Sequence, residues 1–228
     1  FQEPVALKNR IPFGDEALRR FFRWRCWYDY GTGLSGDLLS HDYDTINQIM
    51  DIGIPKYASS TGGVYFYKDG RDVPDVWNAT FEFPEKDLTV LYSATLSSNN
   101  ARGNRIMGHD ATMMMGGQSG GGSIHGFTVT PDYSSTQYKK RIENGFLNTN
   151  YPMYSYAPGS KQIDGVTSAT SKYFASKGLL YTYRDGKRVD PTHLHIKDWL
   201  DAIRTKSQPK CNIEVAFHEG VACAMATE

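Results

Sequence analysis

The sequence predicts an α+β fold with a largely antiparallel sheet in the middle of the chain. Apolar residues recur at helical spacing near both ends, while β-branched and aromatic runs fill the stretch between. Asp-Gly pairs sit between some of those runs, where tight turns need the positive φ that glycine tolerates. The 228 residues are read as a single domain over 1–228. With 39% apolar and 22% charged residues, the composition is that of a globular chain with a core to bury.

Taken in order, the first thirty residues form an aromatic and basic lead-in, with Phe21, Phe22, Arg23, Trp24, Arg25, Trp27, Tyr28 and Tyr30. From Leu38, Leu39, Tyr43, Ile46 and Met50 recur at i, i+4, i+7 and i+11, the stripe of a helix that Gly53 and Pro55 end. Val64–Tyr67, Thr80–Phe83 and Leu88–Leu96 read as strands, and Asp69-Gly70 and Asp185-Gly186 as hairpin turns. Residues 111–170, which contain the Gly116–Gly122 cluster, read as a long excursion with at most one helix, around Gln137–Phe146. Leu194–Arg204 is helical in period, with Trp199, Leu200 and Ile203 on one side and Thr192 placed as N-cap after Pro191. Glu214–Ala226 reads as a last helix. The chain starts at Phe1 and that helix meets Glu228 without a stop signal, so a longer parent protein is expected.

Charge excludes two classes of partner. The 25 basic and 25 acidic residues cancel, leaving no field for nucleic acid or an anionic membrane surface. No run reaches the roughly 18 apolar residues of a bilayer span, so a soluble chain is expected. Cys26, Cys211 and Cys223 are odd in number and widely spaced, which predicts buried thiols and neither a disulfide framework nor a zinc site.

Gly31-Thr32-Gly33-Leu34-Ser35-Gly36 spells the dinucleotide-binding fingerprint, but a buried strand should precede it and a parallel strand should follow. The flanking residues predict neither. The helix after it is more informative: Asp37, His41, Asp44 and Gln48 lie at i, i+4, i+7 and i+11, about 200° from the apolar stripe. A carboxylate and an imidazole one turn apart are parts for proton transfer at neutral pH, or else members of a solvated polar face. His193-x-His195 lacks a third ligand at recognisable spacing and reads as helix entry, so no metal is expected.

The segment from Gly31 through Asp37 and His41 to Asp44 resembles the glycine-rich Asp-x-x-x-His-x-x-Asp signature in the C-terminal domain of the Gfo/Idh/MocA oxidoreductases. Phe22–Tyr30 is similar to the aromatic lead-in of that family, and His195–Arg204 followed by Pro209 to its late helix. The resemblance implies an open, mainly antiparallel sheet with helices on one face. It also implies a catalytic and substrate-binding half of a sugar or polyol oxidoreductase, with NAD or NADP bound mainly by a separate N-terminal Rossmann domain. His41 would match the general base that takes a hydroxyl proton, Asp37 the residue that holds the sugar and the proton network, and Tyr30 and Asp44 are expected to bind substrate. No residue of this chain is expected to hold the cofactor, and the chain alone should be inactive. Leu39 stands where many members have glycine.

Two other readings stay open: a glycosidase using transient oxidation by the same cofactor, and a non-catalytic sugar-binding or oligomerisation module. The open sheet face is the expected surface for self-association. A cytoplasmic enzyme is expected, or a periplasmic one after twin-arginine export.

Overall fold

Strand and helix positions follow from which residues can be buried on one side of a sheet. The computed structural model describes residues 15–98, 103–115, 127–156, 183–184, 187–188 and 191–228. In chain order these form α1 (Asp15–Phe22), a 3₁₀ turn (Trp24–Cys26), a π-helical turn (Ser35–Leu39), α2 (Ser40–Met50), β1 (Tyr57–Gly63), β2 (Val76–Phe83) and β3 (Leu88–Thr95). There follow β4 (Asn104–Met107), β5 (Ala111–Met115), β6 (Phe127–Pro131), α3 (Lys139–Glu143), β7 (Tyr154–Tyr156), β8 (Tyr183–Arg184) and β9 (Lys187–Arg188). The chain ends with α4 (Pro191–Thr205) and α5 (Ile213–Thr227). The fold is α+β with open antiparallel sheets, as predicted.

The chain divides into two compact units, one from the residues up to 99 together with 211–228, the other from 100–210. In the first, β1-β2-β3 form an antiparallel sheet. On β2, Trp77, Ala79, Phe81 and Phe83 point inward at period two, paired in register with Ala94, Tyr92, Val90 and Leu88 of β3. Leu34, Leu39 and Tyr43 on one side of the seam, and Ala222, Cys223 and Ala226 of α5 on the other, complete this core. Tyr43 and Phe81, both fully buried, meet edge to face with ring centres 5.7 Å apart, a geometry worth about 0.5–1.5 kcal/mol beyond area burial. Leu39 is 1% exposed and fills this core.

In the second unit, β4-β5-β6-β7 make an antiparallel sheet in sequence order. Phe127 of β6 stacks on Tyr154 of β7 with ring centres 5.4 Å apart. Tyr183–Arg184 (β8) pairs antiparallel with Lys187–Arg188 (β9), on either side of the Asp185-Gly186 pair. The pair itself, like Gly116–Gly122, lies outside the described residues.

Several expectations need correction. Val64–Tyr67 is a loop, because the buried Asp75 carboxylate takes the backbone N–H groups of Tyr65, Phe66 and Tyr67 that a strand would give to a ladder. Gly70 does have positive φ (88°), but it sits within this loop and does not form a two-residue hairpin. The true first strand, Tyr57–Gly63, is rich in Ser, Thr and Gly and mostly exposed, so it lacks the alternation that marks a strand. Among the described residues the excursion holds three strands besides the helix at Lys139–Glu143. Thr192 is inside α4, which starts at Pro191, a residue whose missing N–H costs nothing at a helix start. On α4, Trp199 and Ile203 are 55% and 58% exposed, so that stripe is not core among the described residues. Helix α2 runs through Met50, the last residue of the expected stripe, and is capped by Asp51 in the left-handed region (φ 50°) ahead of Gly53. Met50 is exposed, and Asn47 takes the buried position, its side chain accepting from Gly53 N at 2.9 Å. Of the thiols, Cys223 is buried, Cys26 half-buried and Cys211 exposed. Among the described residues no helix is long and apolar enough to cross a membrane.

Candidate functional site

The glycine-rich turn is shaped by packing. Gly33 has φ +64°, and a Cβ there would lie 2.5 Å from Val73 Cγ1; at Gly36 it would lie 2.1 Å from Thr32 Oγ1. The space that a dinucleotide fingerprint keeps open for a diphosphate is therefore taken by the chain's own side chains. A 3₁₀ turn, Trp24–Cys26, precedes the glycines in place of a strand.

From this turn the chain enters helix through a π-turn. The Ser40 N–H reaches back five residues to the Ser35 carbonyl, and the Ser40 hydroxyl donates to the Gly36 carbonyl at 2.7 Å. Single π-turns of this kind recur at functional sites because they re-aim side chains without ending the helix. The turn is pinned to α5 from below: Ser35 Oγ donates to the Cys223 carbonyl at 2.7 Å, and the Cys223 thiol donates to the Ser35 carbonyl at 3.6 Å. Burial pushes the Cys223 thiol up, against the lowering effect of Ser35, which keeps it a packing group and not a nucleophile.

Two of the expected site residues flank this junction. Asp37, on the π-turn, is half-buried and accepts from Arg25 Nε at 3.3 Å. Arg25 also lies over the Trp24 ring, 4.2 Å from its centre, so the aromatic lead-in orients the guanidinium that holds Asp37. With both partners on the surface this ion pair orients more than it stabilises. His41 is exposed in the first turn of α2, four residues on. Among the described residues Asp37 bonds to Arg25 and not to His41, leaving the imidazole open to an incoming group.

Asp44 is half-buried one turn further along and accepts from Gln48 Nε2 at 2.6 Å. Tyr30, just before the glycines, is 55% exposed. The 3₁₀ lead-in is held in place by the loop after β1: Tyr28 N donates to Asp72 Oδ1, and the amides of Asp72 and Val73 donate to the Cys26 carbonyl. A crevice beside the turn, lined by Tyr28, Thr32, Leu34, Ser35, Pro74 and Trp77, is too tight for a ligand. The accessible chemistry is at the His41 edge.

One residue there was missed from the sequence. Glu219 of α5 is half-buried; desolvation raises its carboxyl above the ordinary range, Asp44 raises it further, and His41 opposes the rise. Its signal was readable: Glu219 precedes the buried Ala222 and Cys223 by three and four residues, so it lies on the face α5 turns inward. His193 and His195 are exposed in the first turns of α4.

No family model matches the sequence, and no curated protein matches it. Among solved structures, a provisionally named oxidoreductase from Bacteroides fragilis aligns with 88% of this chain and 52% of its own, at 11% identity and a TM-score of 0.45. A second, from Klebsiella pneumoniae, aligns with 85% of this chain and 53% of its own, at 12% identity and a TM-score of 0.33. The chain thus spans about half the length of the solved structures it resembles. At these values neither likeness fixes family, fold or activity.

Proposed function

We propose that the chain is the substrate-binding and catalytic half of an NAD(P)-dependent sugar or polyol oxidoreductase, with His41 as the general base. The observation that carries the reading is the placement of an open imidazole, His41, one turn beyond a carboxylate, Asp37, that a guanidinium holds in position. In this reading Asp37, Tyr30 and Asp44 bind hydroxyl groups of the substrate, and His41 removes the proton from the hydroxyl whose carbon is oxidised. The nicotinamide, when bound, supplies the hydride acceptor.

The donor set fits a polyhydroxy substrate, since it combines hydrogen-bond acceptors, a phenol and an imidazole at an exposed edge. It does not fit a diphosphate, because Val73 and Thr32 occupy the space beside Gly33 and Gly36. The Rossmann domain of the parent protein then holds the cofactor. The outer face of the first sheet, with Tyr57 and Leu91 exposed, is the surface proposed for homo-oligomer formation.

The reading is tested on this chain by titrating it with sugars and polyols, wild type against Asp37→Ala. Loss of the carboxylate should weaken binding about tenfold, the cost of one charge-assisted hydrogen bond. Equal affinity in the two proteins would remove Asp37 from the substrate site.

A further inference from the structure

Arg25 is fixed on two sides. Its guanidinium lies over the Trp24 ring, 4.2 Å from the ring centre, and its Nε donates to Asp37 Oδ1 at 3.3 Å. Trp24 is itself seated against the glycine-rich turn, where a Cβ at Gly31 would come 3.4 Å from Cζ3 of the indole. The stack sets the plane of the guanidinium, and the Asp37 contact sets its rotation within that plane. The terminal fork is left over: among the described residues Nη1 and Nη2 have no hydrogen-bond partner, and the side chain is 63% exposed. Arg23, by contrast, is committed to Asp69 at 2.8 Å. A guanidinium whose long stem is already ordered binds a ligand without first losing that freedom.

We propose that the substrate is a sugar acid, its carboxylate taken by the terminal fork of Arg25 while its hydroxyl groups meet Asp37 and His41. The inference rests on the reading of this edge as the substrate site. A planar carboxylate matches two parallel N–H donors, and the resulting bonds are charge-assisted. Asp37 does not fill that position, since it takes only the Nε edge, at a distance long for such a contact. The pair thus offers a donor fork next to an acceptor, which sorts the two kinds of group on a sugar acid: carboxylate to Arg25, hydroxyl to Asp37. With 25 basic and 25 acidic residues the whole chain adds no long-range attraction, so selection for the anion is local to this fork.

The test is calorimetric titration of this chain with glucuronate, glucose and glucose 6-phosphate, in wild type, Arg25→Gln and Arg25→Lys. Wild type should bind glucuronate at least about tenfold more tightly than glucose, the worth of a charge-assisted pair. The ratio should fall to about one in Arg25→Gln and stay intermediate in Arg25→Lys, which keeps the charge but not the fork. Equal affinity for the two sugars in wild type, or a preference that survives Arg25→Gln, would overturn the proposal. Tighter binding of glucose 6-phosphate than of glucuronate would overturn the choice of a carboxylate. Failure of the underlying site reading looks different: the preference would then vanish in Arg25→Gln while Asp37→Ala bound glucuronate as wild type does. Binding of none of the three compounds would overturn both.

Discussion

Asp75→Ala should destabilise the first unit by about 3–5 kcal/mol, since it orphans three backbone donors at about 1–3 kcal/mol each. Asp75 is fully buried, and its two carboxylate oxygens accept from Tyr65, Phe66 and Tyr67 N–H groups at 2.7–2.9 Å. Successive N–H groups aimed at one point form a nest for an anion, and here the anion is supplied by the chain itself. The same residue ties the sheet ends together, with Asp75 N donating to the Gly63 carbonyl and the Asp75 carbonyl accepting from Leu96 N. Asp75→Asn, which keeps an acceptor but loses the charge, should cost less, about 1–2 kcal/mol. Denaturant unfolding of the two variants checks both values; an Asp75→Ala midpoint equal to wild type would contradict the assignment.

This site also fixes the direction of acid sensitivity. Burial opposes ionisation of Asp75, but the three N–H donors together outweigh it, and Arg71 adds to them, so its carboxyl titrates below the usual range. Asp69 is lowered too, first by its side-chain hydrogen bond from Arg71 and also by the Arg71 and Arg23 charges, against the opposing effect of burial. Groups with depressed folded-state pKa values contribute stability that is fully present above the unfolded value of about 3.9 and is lost as pH falls through the folded value. Unfolding free energy should therefore fall with acid below about pH 4, and the slope should be shallower in Asp75→Asn.

His41→Ala should behave in the opposite way. An exposed side chain outside the core changes stability by about 0.5 kcal/mol or less. Loss of a general base, however, should lower kcat of the parent enzyme by about 10²–10⁴, equivalent to about 3–5 kcal/mol of barrier. Steady-state turnover of the purified variant, beside its melting curve, separates the two effects. Turnover within a factor of a few of wild type, with folding intact, would remove His41 from the role.

How much of this was legible in the sequence depended on where burial leaves a period. The stripe Leu39, Tyr43 and Ile46 marked the helix because those side chains do meet the core. Thr80–Phe83 was read as strand for the same reason, although β2 begins at Val76 and the buried Trp77 and Ala79 that start its alternation were not included. Tyr57–Gly63 was not legible, since its outward residues are small and polar and Gly62 has no side chain, which lets Trp77 pack closely. Val64–Tyr67 misled because aromatic residues favour strands, whereas here a carboxylate eight to ten positions later claims their amides. Within the site, Asp37, His41 and Asp44 were visible as a polar helix face. The π-turn beneath Asp37 was not, because it is set by Ser35, Ser40 and Cys223 across a sequence gap of 188 residues. The spacing of Glu219 from Ala222 and Cys223 was readable, but that α5 packs against the turn at Ser35 was hidden for the same reason.

The most direct test of the proposed chemistry is the product balance of the parent protein supplied with NAD or NADP and a panel of sugars and polyols. One oxidised sugar should form per reduced nicotinamide, with both lost together in His41→Ala. Free sugar released from a glycoside with no net change in the cofactor, or no reaction with any of these substrates, would contradict the dehydrogenase reading.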